Sequence, residues 1–490
     1  MTLRDVYRPS LSLLTDLYQL TMAYGYWKSG VDRHEAAFHL FFRNNPFGGG
    51  YAVAAGLANV VDFLDQFAFD ANDLAYLADL KGNDGRPLFE PAFLDQLAGM
   101  SPCCDVDAMP EGTVAFPHEP LLRVTGPIIQ AQLLETTLLN LMNFPTLIAT
   151  KASRVVQAAE GQPVLEFGLR RAQGTDGGLT AARAAYLGGC AGTSNVLAGH
   201  LYGIPVKGTH AHSWIMCFDD ELTAFREYAK AMPNNCVFLV DTYDTLRGVR
   251  HAVEVGRELR VQGHEMLGIR LDSGDLAYLS IEARRILDDA GFPNAKIIAS
   301  SDLDEHLIAS LKRQGAKVDV WAVGTRLATA DGQPALGGVY KLSAIREDSS
   351  RPWTHRVKLS ERKVKTSTPG VLQVRRYLAD GGAVADMIYD VNHPPGPEPV
   401  IVSPAEETRR KTVPADTAWE DLLTPIFRQG CRVADVPSLE AARCRAREQL
   451  ELLHAGVKRF ENPHEYPAGL EQGLHERKTQ LIRAAGQGRR

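Results

Sequence analysis

The chain of 490 residues lacks the sequence marks of several common classes of protein. It has seven cysteines, an odd number, and no pair with CxxC spacing, which argues against a disulfide scaffold. Cys431 and Cys444 precede His454 and His464, but that spacing matches no standard zinc site, so we expect free thiols. The P-loop pattern GxxxxGKS/T is also missing, so any nucleotide must bind in another way.

Long apolar runs and an excess of positive charge are missing as well. The most apolar stretch, residues 133–150, is interrupted by Glu135, Asn140, Asn143 and Pro145, and is too polar to span a membrane. The first five residues have no signal-peptide core. The net charge is −6 and no basic-aromatic pattern is sustained, which argues against nucleic-acid binding. We therefore expect a cytoplasmic protein that binds neither membranes nor nucleic acids.

Between about residues 160 and 330, short apolar runs alternate with amphipathic stretches. The runs centre on Val164-Leu165, Ile204-Pro205-Val206, Val237-Phe238-Leu239-Val240, Leu267-Gly268-Ile269, Ile297-Ile298-Ala299 and Val318-Asp319-Val320-Trp321. Residues 304–314 and 276–290 are the clearest helices between them, with Gly315 and Gly291 as stop signals. This alternation predicts a parallel sheet that closes as an α/β barrel. We expect an α+β domain over 1–150, the barrel over 151–345, and a C-terminal region, 346–490, that packs on the N-terminal domain and is partly loop.

The residue types that follow the apolar runs are those of binding sites. The segments are Glu166–Arg171, Gly208–Ser213, Asp241–Thr245, Arg270–Asp275, Ser300–Asp302 and Gly324–Arg326. In an α/β barrel these are the carboxyl ends of the strands, where active sites lie. Helix caps use the same residues, but six such segments in series, rich in Arg, His and Asp, predict a site.

Several of these segments are suited to phosphate. Gly324 and Thr325 follow a late strand, where barrels often hold a phosphate on backbone N–H groups. Ser273-Gly274 and Ser301 precede helices, whose N-termini attract anions. For any one of these loops, simple helix capping is the alternative.

Arginine and histidine supply the remaining chemistry. The arginines at the predicted strand ends are Arg170, Arg171, Arg270 and Arg326, whose forked guanidinium groups suit carboxylate and phosphate. For Arg270, a salt bridge to Asp272 or Asp275 is the alternative. His210 and His212 alternate in a strand-like stretch, so we expect only one of them to face the site, as a general base or as a nucleophile. Residues 237–248, VFLVDTYDTLRG, weakly resemble an acidic loop with which another class of enzymes binds a sugar that carries pyrophosphate. That loop has two adjacent acidic residues, which are missing here, so we read the likeness as coincidence.

Taken together, the segments resemble the nicotinate phosphoribosyltransferase family. The matching stretches are LTDLYQLTM from Leu14, FFR from Phe41, PFGG from Pro46, EFGLRRAQG from Glu166, GTHAHSW from Gly208, DTYDT from Asp241, GIRLDSGDL from Gly268, SSDLDE from Ser300, AVGT from Ala322 and LGGVYKL from Leu336. They cover roughly residues 10–375 in order, with a looser tail. The resemblance implies the irregular TIM-like barrel of a type II phosphoribosyltransferase, with an additional α+β domain built from both ends of the chain.

The family's activity and site are implied in the same way. The resemblance implies ATP-coupled condensation of nicotinate with phosphoribosyl pyrophosphate, through a phosphohistidine and with Mg²⁺ on the pyrophosphate rather than on protein ligands. His212, in its Ala-His-Ser context, is then the phosphorylated residue, and Arg270 and Asp272 act beside it. Substrate contacts are implied for Tyr18, Arg170, Thr209, Ser213 and Thr325. Ser301 departs from the family, since asparagine is expected there. Any of three carboxylates, Asp241, Asp272 or Asp275, is suited to orient His212.

The resemblance also implies a homodimer with shared active sites. Three other activities are weighed. A nicotinamide-specific enzyme is disfavoured by the cationic Arg270, a quinolinate-specific one by chain length, and an aldolase-type barrel has only Lys207 as a strand-end lysine. A non-catalytic relative that binds ligands is the remaining alternative, against which the retained His212, Arg270 and Thr325 argue.

Overall fold

The structure is a computed structural model that describes residues 10–360, 366–404, 406 and 408–487. The chain divides into two compact units. The split unit combines Met1–Leu147 with Ala335–Arg490, and the barrel unit is Ile148–Pro334. Within the described residues, no helix is both long enough and apolar enough to span a membrane.

The N-terminal segment of the split unit mixes short strands with helices. Its helices are α1 (Leu17–Lys28), α2 (Leu57–Asp65), α3 (Ala71–Asp79), α4 (Pro91–Ala98) and α5 (Ile128–Leu133), and α6 (Glu135–Ala158) follows. Its strands are β1 (Glu35–Phe41), β2 (Ala52–Val53), β3 (Asp105–Ala108), β4 (Val114–Ala115) and β5 (Leu122–Pro127).

The barrel unit alternates strands and helices. The strands are β6 (Val164–Glu166), β7 (Gly192–Thr193), β8 (Val237–Leu239), β9 (Gly268–Leu271), β10 (Lys296–Ala299) and β11 (Val320–Val323). The helices are α7 (Gly174–Leu187), α8 (Val196–Tyr202), α9 (His212–Met216), α10 (Glu221–Ala231), α11 (Thr245–Val261), α12 (Leu276–Asp289), α13 (Glu305–Arg313) and α14 (Thr325–Ala328).

The C-terminal segment returns to the split unit. Its strands are β12 (Val339–Arg346), β13 (Thr354–His355), β14 (Leu372–Ala379), β15 (Gly382–Asp390), β16 (Val400–Val402), β17 (Arg410–Thr412), β18 (Ala418–Asp421), β19 (Thr424–Arg428), β20 (Cys431–Arg432) and β21 (Ala468–Glu471). Two helices, α15 (Leu439–Glu451) and α16 (Gln472–Gln487), complete it.

Both ends of the chain contribute to the same sheet of the split unit. A seven-stranded sheet has the order β13-β12-β1-β5-β3-β19-β20, so strands from the two segments are paired neighbours. Strand β1 pairs antiparallel with β12, for example Leu40 with Tyr340. A six-stranded sheet of C-terminal strands has the order β17-β16-β21-β15-β14-β18. The α+β domain that the resemblance implied from the two ends of the chain is therefore present.

The barrel sheet has the order β7-β6-β11-β10-β9-β8, and every pair in it is parallel. Its central strands are buried, as apolar residues such as Ile269, Ile297 and Trp321 require. The amphipathic helices cover it; α13 begins where Asp304 accepts a hydrogen bond from the Leu307 N–H, and ends before Gly315, whose φ is +81°. The predicted helices at 276–290 and 304–314 are confirmed.

One predicted strand of the barrel is wrong. Ile204-Pro205-Val206 forms only a single bridge, between Val206 and Thr193, because Pro205 has no N–H to donate to a ladder. Toward β8, no backbone ladder continues from this part of the chain. The link is a side chain further along, since His210 Nε2 accepts a hydrogen bond of 3.2 Å from the Leu239 N–H. The barrel is therefore irregular at this point, and the short strand β7 was missed by the sequence pattern.

A buried carboxylate makes the stability of the split unit dependent on pH. Asp390 is fully buried, its Oδ2 lies 3.1 Å from His355 Nε2, and its Oδ1 accepts bonds from the N–H and the amide of Asn392. Burial by itself would raise the pKa of Asp390, but these contacts outweigh it and lower the pKa to about 2. The ionised carboxylate therefore stabilises the fold above the unfolded-state pKa, and this contribution is lost as the pH falls toward about 2.

We expect Asp390→Asn to flatten the acid branch of the stability curve. The urea midpoint of the parent protein should fall between about pH 5 and 3, and the midpoint of the variant should fall less because it has no carboxylate to protonate at this position. The exposed Asp416 provides a control, since Asp416→Asn should keep the parent slope. A parental slope in Asp390→Asn would contradict the assignment.

Candidate active site

The site is built from loops at the carboxyl ends of the barrel strands. Arg270 lies near the end of β9 and Asp272 directly follows that strand, while His212 is the first residue of α9. Because the strands are parallel, their carboxyl ends lie on one face of the sheet. Residues from separate parts of the sequence are thus brought together there.

The guanidinium of Arg270 is held on three sides. Its Nε donates to Ser300 Oγ at 2.9 Å, its Nη1 to Thr209 Oγ1 at 2.9 Å and its Nη2 to Asp272 Oδ1 at 3.1 Å. The salt bridge to Asp272 that the sequence left as an alternative is therefore present. A guanidinium has five N–H donors, so two remain for a ligand. Arg270 is both part of the framework of the site and a donor to a carboxylate or phosphate.

Asp272 is kept ionised by the same network. Burial would raise the pKa of this carboxyl, but the hydrogen bond from the Ser300 hydroxyl and the charge of Arg270 more than offset burial, and the net shift of the pKa is downward. Its second oxygen, Oδ2, lies 3.7 Å from His212 Nε2. Of the three carboxylates considered for orienting His212, Asp272 is the one whose carboxylate lies beside the ring.

Both ring nitrogens of His212 have a polar neighbour. Nδ1 lies 3.1 Å from the hydroxyl of Thr242, and Nε2 faces Asp272. The side chain is 40% exposed, so a ligand can reach the ring. Thr242 and Asp272 together determine which nitrogen carries the proton and which is free to attack.

His210 occupies a different environment from His212. It is buried, its Nε2 accepts the Leu239 N–H, and its ring packs edge-on against Tyr228 with centroids 4.7 Å apart. Burial lowers the pKa of His210 to about 4, and the positive charge of Arg270 acts in the same direction. The stretch that carries the two histidines is not the predicted strand, because α9 begins at His212. Only one of the two histidines, His212, is nevertheless accessible.

Asp241 and Asp275 hold the loop after β9 in place. Asp241 Oδ2 accepts the backbone N–H of Asp272 at 2.9 Å and the hydroxyl of Ser273 at 2.6 Å. Asp275 caps α12 by accepting the N–H groups of Ala277 and Tyr278. Gly274, which lies between Ser273 and Asp275, has φ +81°, a left-handed conformation that suits glycine. The exposed Ser273 and Gly274 therefore sit on a fixed loop at a helix N-terminus.

The loops after β10 and β11 are joined by an ion pair. Arg326 donates to Asp304, the residue that caps α13. Gly324 directly precedes α14, which begins at Thr325 and contains Arg326. Ser301 lies in the neighbouring loop with φ +113°. Left-handed backbone at a non-glycine residue is strained, and such strain often marks a functional loop.

The loop after β6 packs directly on the Gly324 loop. A side chain at Gly168 would place its β carbon 2.4 Å from that of Ala328 and 2.8 Å from the Gly324 carbonyl oxygen, so this close approach requires glycine. Gly168 precedes the 3₁₀ turn Leu169–Arg171, which carries Arg170. Glu166 accepts the Gly168 N–H and the Thr193 hydroxyl, and burial raises the pKa of Glu166.

The remaining predicted residues are exposed. Arg170 and Ser213 lie on the surface of the barrel unit. Tyr18 is the second residue of α1 in the split unit and is 49% exposed. Among the predicted site residues, hydrogen bonds join Thr209, Arg270 and Asp272, and Asp241 links Asp272 to Ser273. His212 lies beside this network.

Sequence reasoning missed the positioning roles of three residues, although Asp241 was among the carboxylates considered for orienting His212. Ser300 bridges Arg270 and Asp272, Thr242 contacts His212, and Asp241 anchors the following loop. Asp241 and Thr242 belong to the motif DTYDT, and its position directly after a predicted strand was the signal that could have identified them. Within the described part of the chain, no three His, Cys, Asp or Glu side chains converge in a way that suits a metal ion.

Comparison with known proteins identifies the family. Three family models match in order: the nicotinate phosphoribosyltransferase N-terminal domain at residues 13–143, the nicotinate phosphoribosyltransferase family at 163–352 and its C-terminal domain at 373–478. The Bacillus subtilis nicotinate phosphoribosyltransferase is 45% identical over 480 residues, which cover 96% of this chain and 95% of the relative. The Homo sapiens nicotinate phosphoribosyltransferase is 37% identical, covering 94% and 95%.

Solved structures agree with the sequence comparisons. The crystal structure of human nicotinic acid phosphoribosyltransferase superposes with a TM-score of 0.82 at 34% identity, covering 95% of this chain and 99% of the other. A nicotinate-nucleotide pyrophosphorylase from Pyrococcus furiosus, at 23% identity and a TM-score of 0.68, shares the fold. The resemblance drawn from the motifs and the fold class that it implied are confirmed, and the chain belongs to the nicotinate phosphoribosyltransferase family of enzymes.

Proposed function

We propose that this enzyme condenses nicotinate with phosphoribosyl pyrophosphate to give nicotinate mononucleotide and pyrophosphate, the entry of nicotinic acid into NAD salvage. The observation that carries the proposal is Arg270, oriented by Ser300 and Thr209 with two N–H donors to spare. Those donors match the carboxylate of nicotinate, which nicotinamide lacks. The relatives in Bacillus subtilis and Homo sapiens carry the corresponding name.

The geometry suits a reaction in which the protein orients and neutralises charge. Bond formation between the pyridine nitrogen and the anomeric carbon passes through an oxocarbenium-like state, while pyrophosphate leaves as an anion. Arg270, the helix N-terminus at Ser273-Gly274 and the loop at Gly324-Thr325 supply donors for the anionic groups. Asp272 stays ionised beside them, where positive charge develops on the sugar.

ATP hydrolysis is coupled, in this proposal, through His212. Its ring is exposed and has Thr242 and Asp272 at its two nitrogens, an arrangement that suits a nucleophile toward phosphorus. Mg²⁺ accompanies the pyrophosphate group and neutralises its charge. In this scheme the ion enters bound to the pyrophosphate group of the substrate rather than on protein ligands.

Nicotinate-dependent release of pyrophosphate tests the activity. A coupled assay should show release that requires both nicotinate and phosphoribosyl pyrophosphate and that ATP increases. Nicotinamide at the same concentration should support little release. Release with nicotinamide but not with nicotinate would assign the other substrate, and no release with either would contradict a catalytic role.

We also propose a two-fold dimer in which Tyr18 completes the active site of the other subunit. Tyr18 lies at the start of α1 with Leu14 and Leu17, and all three are exposed, an apolar surface that suits contact with a second chain. A tyrosine ring can stack on the flat pyridine of nicotinate. In an isologous dimer each site then draws on both chains.

Mixing two inactive variants tests this sharing. Tyr18→Ala and His212→Ala are purified separately and mixed under conditions that exchange subunits. Random pairing makes about half of the dimers mixed, each with one intact site of two, so activity should return to about a quarter of the parent value.

The matched control pairs His212→Ala with Arg270→Ala, both in the barrel unit, and should restore nothing. No recovery for the first pair, with exchange verified by a labelled subunit, would place Tyr18 and His212 in one site of a single chain.

A further inference from the structure

One buried acidic side chain at the strand ends has no part in the chemistry described above. Glu166 is the last residue of β6, and it is buried. Among the residues that the structure describes, no lysine, arginine or histidine pairs with its carboxylate, and burial raises the pKa of this group. Burying a carboxyl group without a cation is costly, and only hydrogen bonds to its two oxygens offset that cost here.

The two oxygens of Glu166 bond to two different parts of the barrel unit. Oε1 accepts the N–H of Gly168, in the loop after β6, and Oε2 accepts the hydroxyl of Thr193, in β7, at 2.6 Å. The Thr193 hydroxyl oxygen also accepts the N–H of Asn195 at 3.0 Å, and Asn195 caps α8 through the N–H of Ala198. The carboxyl group of Glu166 therefore ties the loop after β6 to the start of α8.

The loop that Glu166 holds is in direct contact with the loop after β11. The N–H of Phe167 donates to the carbonyl oxygen of Val323 at 2.8 Å, and a β carbon at Gly324 would lie 3.2 Å from the Phe167 carbonyl oxygen. The same loop continues through Gly168 into the turn that carries the exposed Arg170. Because the two loops are packed backbone to backbone, a displacement of Gly168 moves both of them.

We propose that Glu166 is a positioning residue that fixes the loop after β6 in the conformation that binds phosphoribosyl pyrophosphate, through the reach of its two acceptor oxygens and not through its charge. The inference rests on the proposed function, in which Gly324 and Thr325 supply donors to the anionic groups. Since Glu166 is buried and both its oxygens are bonded, it acts through the loop and does not touch the substrate.

Two substitutions of Glu166 separate reach from charge. Glu166→Asp keeps the charge but is one carbon shorter, so it cannot bond to Gly168 and Thr193 together. Glu166→Gln keeps the length, and its amide can accept the Gly168 N–H and donate to the Thr193 oxygen. If the binding conformation of the loop falls to about a tenth of the molecules, Glu166→Asp should raise KM for phosphoribosyl pyrophosphate about tenfold and change kcat less than about threefold. Glu166→Gln should stay close to the parent.

Thr193 supplies an independent pair of variants. Thr193→Val keeps the shape of the side chain but removes the hydroxyl, and should raise KM as Glu166→Asp does, whereas Thr193→Ser keeps the hydroxyl and should not. Glu221→Asp is the matched control, because it shortens another buried glutamate of the barrel unit, whose partner is His251. It should lower the melting temperature without changing KM.

Hydrogen exchange of the segment 167–173, followed by mass spectrometry, supplies a readout that needs no turnover. Exchange should be faster in Glu166→Asp and Thr193→Val, and parental in Glu166→Gln and Thr193→Ser. If the proposed function is wrong, the parent shows no turnover while these differences in exchange persist. If Glu166→Asp does not fold, the two Thr193 variants decide the question in the same way.

Three results would overturn the inference. The first is parental exchange in folded Glu166→Asp and in Thr193→Val. The second is the opposite order of activity, with Glu166→Asp active and Glu166→Gln inactive, because the charge and not the reach would then be needed. The third is a rise of KM in Glu221→Asp equal to that in Glu166→Asp, since any buried glutamate of this unit would then have the same effect.

Discussion

His212→Ala should lose all labelling by γ-phosphate-labelled ATP and all stimulation of pyrophosphate release by ATP. The reason is the position of the ring, which is accessible and has Thr242 and Asp272 at its two nitrogens. Removing it leaves no imidazole to accept the phosphoryl group, because the neighbouring His210 is buried. The measurement is acid-labile, alkali-stable label retained on the protein after rapid gel filtration.

The matched control is His210→Gln. His210 accepts the Leu239 N–H, and a glutamine amide oxygen can take that bond, so the variant should fold and keep its label. Burial lowers the pKa of His210 to about 4, so the residue is neutral at physiological pH and its role is structural. Acid-labile label that survives in His212→Ala, or disappears only in a folded His210→Gln, would sink the assignment.

Arg270→Ala should lower kcat/KM for nicotinate by about 30- to 150-fold. Losing a charge-assisted hydrogen bond in a largely buried site costs about 2 to 3 kcal/mol, which corresponds to that range. The side chain is only 11% exposed, so water cannot replace it fully. Nicotinamide has no carboxylate for the fork, so its use should fall by a smaller factor, through the loss of the bonds to Ser300, Thr209 and Asp272 alone. The measurement is the ratio of kcat/KM values for the two substrates in the parent and the variant.

A second substitution separates charge from geometry. Arg270→Lys keeps the positive charge but loses the planar fork that reaches Ser300, Thr209 and Asp272 together, so it should recover only part of the loss. Arg313→Ala, at the exposed end of α13, should leave both substrates unaffected. An equal loss on nicotinate and nicotinamide in Arg270→Ala would show that the residue serves the phosphates or the loop instead.

The local pattern of the sequence was sufficient for much of the barrel. Apolar runs at 237–240, 267–269 and 297–299 became β8, β9 and β10, because a strand buried on both faces must be apolar along its length. Asp304 before a helical stripe and Gly315 after it set the ends of α13, since capping depends on residues only a few positions apart. Motifs such as GTHAHSW and GIRLDSGDL, found in the expected order, were sufficient to identify the family.

The segment from Gly208 to His212 shows where a local pattern misleads. Its alternation predicted a strand, but the backbone is irregular and α9 begins at His212. An isolated alternating segment becomes a strand only when a neighbour completes its ladder, and here the link to β8 is the His210 side chain. The exposure of His212 and the burial of His210 follow from that packing.

What the sequence by itself determined is therefore the order of elements, the caps and stops of the helices, and the residue types at each strand end. Tertiary structure decided how those ends meet. Thr209 lies 61 positions from Arg270, and Thr242 lies 30 positions from His212, so no local pattern relates either pair. Their contacts depend on which strands are neighbours in the sheet and on loop conformations that the surrounding packing imposes.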